Sequence, residues 1–145
     1  MEKELDFYGK LRIRIVNWLD TETGRKNKWA EYLLLVPDFF YLLVKLATDE
    51  DVPSNEKAKL ILAIAYFISP IDLLPEAFLG PLGYLDDLAL SAYVLNGIIN
   101  KVSPEIVEKH WVGDGDVLLL IKGVLAKADE MIGSGLWRKI KKVVS

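Results

Sequence analysis

The sequence predicts a single all-α domain over residues 1–145, a compact multi-helix bundle with short proline-broken helices around a central apolar helix pair. Three observations predict it. Apolar side chains recur at three- and four-residue spacing along most of the chain, the period of one face of an α-helix. Prolines at 37, 53, 70, 75, 81 and 104 punctuate that pattern, and Pro37, Pro75 and Pro104 are each followed by an acid, the order favoured at the positive end of a new helix. No internal repeat is visible, and no linker is long enough to divide 145 residues, a length at the mode for one domain.

Taken in order, residues 5–19 place Phe7, Tyr8, Leu11, Ile15, Trp18 and Leu19 near one helical face, with Lys10, Arg14 and Asn17 opposite. The stretch KLRIRIV within it also alternates with period two, so a short strand is the competing reading there. DTETGRKNK is a polar, basic turn containing Gly24, and a helix is expected from about Lys28, interrupted or kinked at Pro37. Its continuation to Thr48 is dense in Phe39, Phe40, Tyr41 and leucine, and TDEDVPSN closes it.

Residues 56–68, EKAKLILAIAYFI, are apolar on every face after Lys59, which predicts a central or a lipid-facing helix. Residues 84–101 have the same character, and both helices are expected to be fully surrounded. Ser103 is the expected N-cap of a short helix over 104–110. Asp114, in WVGDGD, is the expected cap for a helix over 117–132. GSG at 133–135 then joins it to an amphipathic basic helix over 136–144.

Composition narrows the chemistry. The apolar fraction is 52%, and the 10 glycines bring it to roughly 59% against a usual 45–50% on the same count. That excess calls for unusually well buried helices, or for apolar surface turned to a bilayer or a partner protein. A net charge of −3 supplies no overall field to hold a polyanion, so no nucleic-acid partner is expected. The absence of cysteine removes disulfides, thiolate nucleophiles and cysteine-ligated metals, and it fits a reducing cytoplasm. The beginning MEKELD lacks the basic start and apolar run of a secretory signal. The runs without charge at 60–71 and 88–100 are shorter than the roughly 17–25 residues of a spanning helix.

The most informative stretch is ISPIDLLPEAFLGPLGYLDD, residues 68–87, because it carries Asp72, Glu76, Asp86 and Asp87 inside the most apolar part of the chain. Unpaired buried carboxylates are costly, so each must be capped, paired, exposed or metal-bound. The local explanation comes first. Ser69 and Asp72 fit a capping box, in which each side chain satisfies a backbone N–H of the other residue's turn. Glu76, Asp86 and Asp87 fall in or just after first helical turns. The competing explanation is that short helix starts gather the four acids around a divalent ion. Oxygen-only ligands would select Mg²⁺, Ca²⁺ or Mn²⁺. The spacing is not that of an EF-hand loop.

AYFISPIDLLPEAFLGPLGYLDDLAL resembles the signature of the YkvA-like family, a bacterial and archaeal domain of unknown function with the pattern S-P-I-D-L-[IL]-P-[DE], a short apolar turn, then G-Y-[LI]-D-D. Ser69, Pro70, Asp72, Pro75, Glu76, Gly83, Tyr84, Asp86 and Asp87 match it, with Glu76 standing where the family more often has Asp. The similar helical context extends over about 37–101. The resemblance implies an all-α domain, sometimes membrane-associated, and it implies no established reaction.

Other candidate features are weaker. Gly113-Asp114-Gly115-Asp116 lacks the context of a dinucleotide fingerprint, and no G-K-[ST] phosphate loop occurs, so no nucleotide partner is expected. His110, the only histidine, stands at the end of its helix, where it is expected to cap terminal carbonyls or pack. The tail offers Leu136, Trp137 and Ile140 beside Arg138, Lys139, Lys141 and Lys142, a pattern suited either to docking on the core or to an anionic membrane or partner surface.

The sequence thus supports a non-enzymatic helical module with a structural acidic turn, cytoplasmic or peripheral at the inner face of a membrane, with no certain cofactor. The alternative is a divalent-metal domain or metal-dependent hydrolase built on Asp72, Glu76, Asp86 and Asp87.

Overall fold

The computed structural model describes residues 2–68 and 84–143. Among the described residues the chain forms nine α-helices and no strand. The first, α1 (Glu2–Leu19), is helical throughout KLRIRIV. It buries Leu11 and Ile15, half-buries Phe7, Tyr8, Trp18 and Leu19, and leaves Ile13 and Val16 exposed. A strand there would have put Leu11, Ile13 and Ile15 on one face. The burial of Leu11 and Ile15 with exposure of Ile13 follows the helical period.

The expected polar turn contains a helical turn of its own, α2 (Glu22–Lys26), whose first turn is capped by the Thr21 hydroxyl accepting from the Gly24 N–H at 3.1 Å. A short α3 (Ala30–Leu33) precedes α4 (Val36–Ala47), which carries Pro37 in its first turn. The proline therefore starts a helix, as its missing N–H permits. Phe7 of α1 meets Phe40 of α4 with ring centroids 4.8 Å apart, and Tyr8 meets Tyr41 at 5.2 Å. These pairs lay α1 along α4.

Next come α5 (Ser54–Ile68) and α6 (Leu85–Lys101). The central pair is α4 and α6. The first of these buries Val36, Phe39, Phe40, Leu42, Leu43 and Leu46, and α6 buries nearly every side chain from Leu85 to Leu95. Helix α6 packs against α3, α4, α5 and three later helices: α7 (Pro104–His110), α8 (Val117–Ile132) and α9 (Ser134–Val143). Ser103 caps α7 by accepting from the Ile106 N–H at 3.3 Å, as its position before Pro104 predicts.

Two helices expected to be fully surrounded are not. Helix α5 packs mainly on α4 and α6, so only the face of Glu56, Leu60, Ala63 and Phe67 is buried. Its opposite face, Ala58, Ile61, Leu62, Ala65 and Ile68, is exposed although it is apolar. The second half of α6 likewise leaves one side open, along Tyr93, Asn96, Gly97, Asn100 and Lys101. These residues follow i, i+3, i+4, i+7 and i+8 spacing, so they share a face.

Asp114 is not the cap of α8. Asp116 fills that place, accepting from the Leu118 N–H at 3.0 Å. Gly115, at φ 82°, turns the chain between the two acids, so only the second stands next to the free N–H groups of the first turn. Helix α9 follows α8 almost at once. Its apolar side is turned inward, with Trp137 and Ile140 buried and Leu136 half-buried, while Arg138, Lys139 and Lys142 are exposed.

Candidate functional site

The acidic stretch is described from Tyr84 onward. Ser69, Asp72 and Glu76, expected as caps or ion ligands, lie outside the described residues. Asp86 and Asp87 stand in the first turn of α6, and neither reaches solvent, with 0% and 1% exposure. An N-terminal turn favours acids by its dipole, but solvent-exposed acids would serve that purpose equally well. Their burial indicates a further structural duty.

For Asp86 that duty is visible. Its Oδ2 accepts from the Tyr66 hydroxyl of α5 at 3.0 Å, and its Oδ1 accepts from the Asp87 N–H at 2.9 Å. Burial pushes the Asp86 carboxyl above its ordinary value, while Tyr66 and nearby backbone N–H groups pull it back. The Asp86 side chain thus ties the last turns of α5 to the first turn of α6. Beside it, Tyr84 stacks on Phe67, with centroids 6.3 Å apart, and its hydroxyl lies 3.5 Å from Arg14 Nη1 of α1. Three helices therefore converge on this junction. Among the described residues no three acidic or histidine side chains come together closely enough to hold a metal ion.

A second place emerges from the packing of α5 against α6. A groove of about 410 Å³ runs between them, with Lys59 on one wall and Tyr93, Asn96, Gly97, Asn100 and Lys101 on the other. Both lysines approach the same oxygen, Glu56 Oε1, at 3.9 Å for Lys59 and 3.7 Å for Lys101. Glu56 is buried, and its Oε2 has no hydrogen-bond partner. The contact with the Lys101 amine, helped by burial, holds Lys59 below the ordinary lysine value. Tyr93 meets Trp137 of α9 edge-on at 5.8 Å, and Lys141 lies 5.2 Å from the Trp137 ring. Reading 84–101 as a wholly apolar helix missed this groove. The polar stripe at helical spacing in YVLNGIINK was the available signal.

His110 is half-buried and meets an acid from another part of the chain. Its Nε2 sits 2.6 Å from Oδ2 of Asp49, in the loop after α4, and Lys109 lies 3.5 Å from the same oxygen. The His110 contact, with the Asp51 N–H, lowers the Asp49 carboxyl to about 2. Asp114 lines a small cavity of about 220 Å³ with Arg12 and Asp38. There the Tyr8 hydroxyl donates to Asp38 at 3.2 Å and receives from Arg12 at 3.1 Å. No described helix is long and apolar enough to cross a membrane.

Comparison with known proteins adds no reaction. A relative from Methanothermobacter thermautotrophicus, described as uncharacterized protein ORF9, is 27% identical over 111 residues, covering 77% of this chain and 74% of its own. No solved structure matches the chain. Residues 56–93, which run from the buried Glu56 through Tyr66, Asp86 and Asp87 to Tyr93, match the family described as protein of unknown function (DUF1232).

Proposed function

We propose that the chain is a non-enzymatic helical module that seats the outer face of α5 on an anionic membrane surface. The observation that carries this reading is the exposure of Ile61, Leu62 and Ile68, at 57%, 40% and 46%, on a helix whose other face is already packed. Singly exposed apolar residues are ordinary, but a contiguous face is a docking surface. Its charge pattern favours anionic lipid. The acid of α5, Glu56, is buried, whereas Lys57 and Lys59 are partly exposed at the same end of the helix. An apolar stripe with flanking lysines is the form of an interfacial helix lying in the headgroup plane. The exposed Arg138, Lys139 and Lys142 of α9 add cationic surface.

Flotation with phosphatidylglycerol-containing vesicles tests the proposal. The parent protein should float, the Ile61→Ser/Ile68→Ser double variant should remain behind, and raised salt should weaken binding. A parent protein that stays in the dense fraction at low salt would refute it.

A divalent-metal role for the acidic junction is the second reading, motivated by the complete burial of Asp86 and Asp87 side by side. On this reading Asp72 and Glu76 complete an oxygen site for Mg²⁺, Ca²⁺ or Mn²⁺. Each ion should raise the melting temperature of the parent protein and leave Asp86→Asn unchanged.

A further inference from the structure

We propose that the groove between α5 and α6 is a binding site for a phosphomonoester, held by Lys59 and Lys101 with the side-chain amides of Asn96 and Asn100. The charge in the groove is the first argument. Two ammonium groups approach the same Glu56 oxygen at 3.9 and 3.7 Å, and its single negative charge balances only one of them. The remaining positive charge stands beside a like charge, an arrangement that a doubly charged anion between the two amines relieves. Contact with the Lys101 amine, then burial, lowers Lys59, and the same contact raises Lys101, so the two amines act as a linked pair.

Shape is the second argument. At about 410 Å³ the groove falls within the usual range for a small-molecule site of roughly 300–1,000 Å³. Its polar side chains include donor types that recognise phosphate oxygens, two amines and two carboxamides. Gly97 lies among them in the middle of α6, where glycine weakens a helix relative to alanine. A Cβ at Gly97 would meet nothing within 4 Å, so packing within the chain does not require the glycine there. What its lack of a side chain does provide is depth in the groove.

The phosphomonoester could be a lipid headgroup or a free phosphorylated molecule, and the test separates them. The side-chain amide signals of Asn96 and Asn100 would be followed by NMR in the full chain, at constant ionic strength. The probes are inorganic phosphate, glycerol 3-phosphate, and phosphatidylcholine vesicles containing either phosphatidic acid or phosphatidylglycerol. Saturable shifts with the two free phosphates identify a soluble ligand. A response to phosphatidic acid vesicles alone, above that to phosphatidylglycerol, identifies a headgroup.

Lys59→Gln and Lys101→Gln should each weaken binding by about tenfold. Glu56→Gln should tighten it by about threefold, because the counter-charge is gone. Gly97→Ala, which keeps every charge and suits a helix better, should weaken it by about threefold through lost depth. The site does not depend on membrane docking, so Ile61→Ser/Ile68→Ser should leave the response to free phosphate intact. No saturable response to any of the probes, or lysine variants that bind as tightly as the parent, would overturn the inference.

Discussion

The Tyr66 hydroxyl donates to Asp86 Oδ2 at 3.0 Å across the junction of α5 and α6, and Asp86 has no exposure to solvent. A buried carboxylate is tolerated only when its oxygens are occupied, so this contact decides how costly Asp86 is. Tyr66→Phe should lower the unfolding free energy by about 1–3 kcal/mol, the range for a buried acceptor that loses its donor. The loss should depend on pH. Burial raises the Asp86 carboxyl above its unfolded value, so the folded state binds its proton more tightly and stability falls as pH rises through the folded value. Tyr66→Phe removes a group that opposes that rise. Its penalty should therefore be larger at neutral pH than below the ordinary carboxyl range, as urea midpoints at both pH values would reveal.

Asp49 should contribute in the opposite direction. Its carboxyl is lowered from 3.8 to about 2, first by the His110 contact. In that interval the unfolded chain binds more protons than the folded one, so the stabilisation present above 3.8 is lost as pH falls through about 2. His110→Ala should return the Asp49 titration toward 3.8, visible in side-chain carboxyl NMR shifts, and it should flatten the acid limb of the stability curve. Asp49→Asn should flatten the same limb. At neutral pH it should cost about 1 kcal/mol, a small value because solvent reaches the partners.

These two contacts show what was legible in the sequence and what was not. Features set by neighbours along the chain were readable: Pro37 as a helix start, Ser103 as a cap, and the α1 face of Leu11 and Ile15. Even there, a single turn at Gly115 moved the α8 cap from Asp114 to Asp116. Contacts between residues far apart in sequence were not readable. His110 reaches Asp49 and Lys101 reaches Glu56 because α4, α5, α6 and α7 pack together, and no local spacing encodes that. The all-round apolar pattern of α5 left a central and a lipid-facing helix as alternatives for a related reason. A helix that is apolar all round looks central, and only the arrangement of its neighbours shows that it sits at an edge.

Two glycines should respond oppositely to alanine. Gly24 is buried in α2, where an added Cβ would fall on the Trp18 carbonyl and the Leu19 backbone, neither of which can step aside without moving the end of α1. Gly24→Ala should cost about 1–3 kcal/mol, typical of forced overpacking. Gly97 faces open space in the interior of α6, so Gly97→Ala should stabilise the fold by about 0.5–1 kcal/mol. Thermal melts of the two variants beside the parent would check both signs at once.

The final helix supplies a test of what its aromatic residue is for. Trp137 is 7% exposed and Ile140 2%, and Trp137 meets Tyr93 of α6 edge-on, whereas Arg138, Lys139 and Lys142 point into solvent. Removing a buried tryptophan leaves a cavity as well as lost transfer energy, so Trp137→Ala should destabilise the protein by about 3–5 kcal/mol. Truncating Arg138, Lys139 or Lys142 should change stability by no more than about 0.5 kcal/mol. Chemical denaturation of the four variants separates the two roles. A Trp137→Ala protein as stable as the parent would show that α9 does not hold its docked position in solution. The helix would then be free to present Leu136, Trp137 and Ile140, together with its cations, to a membrane.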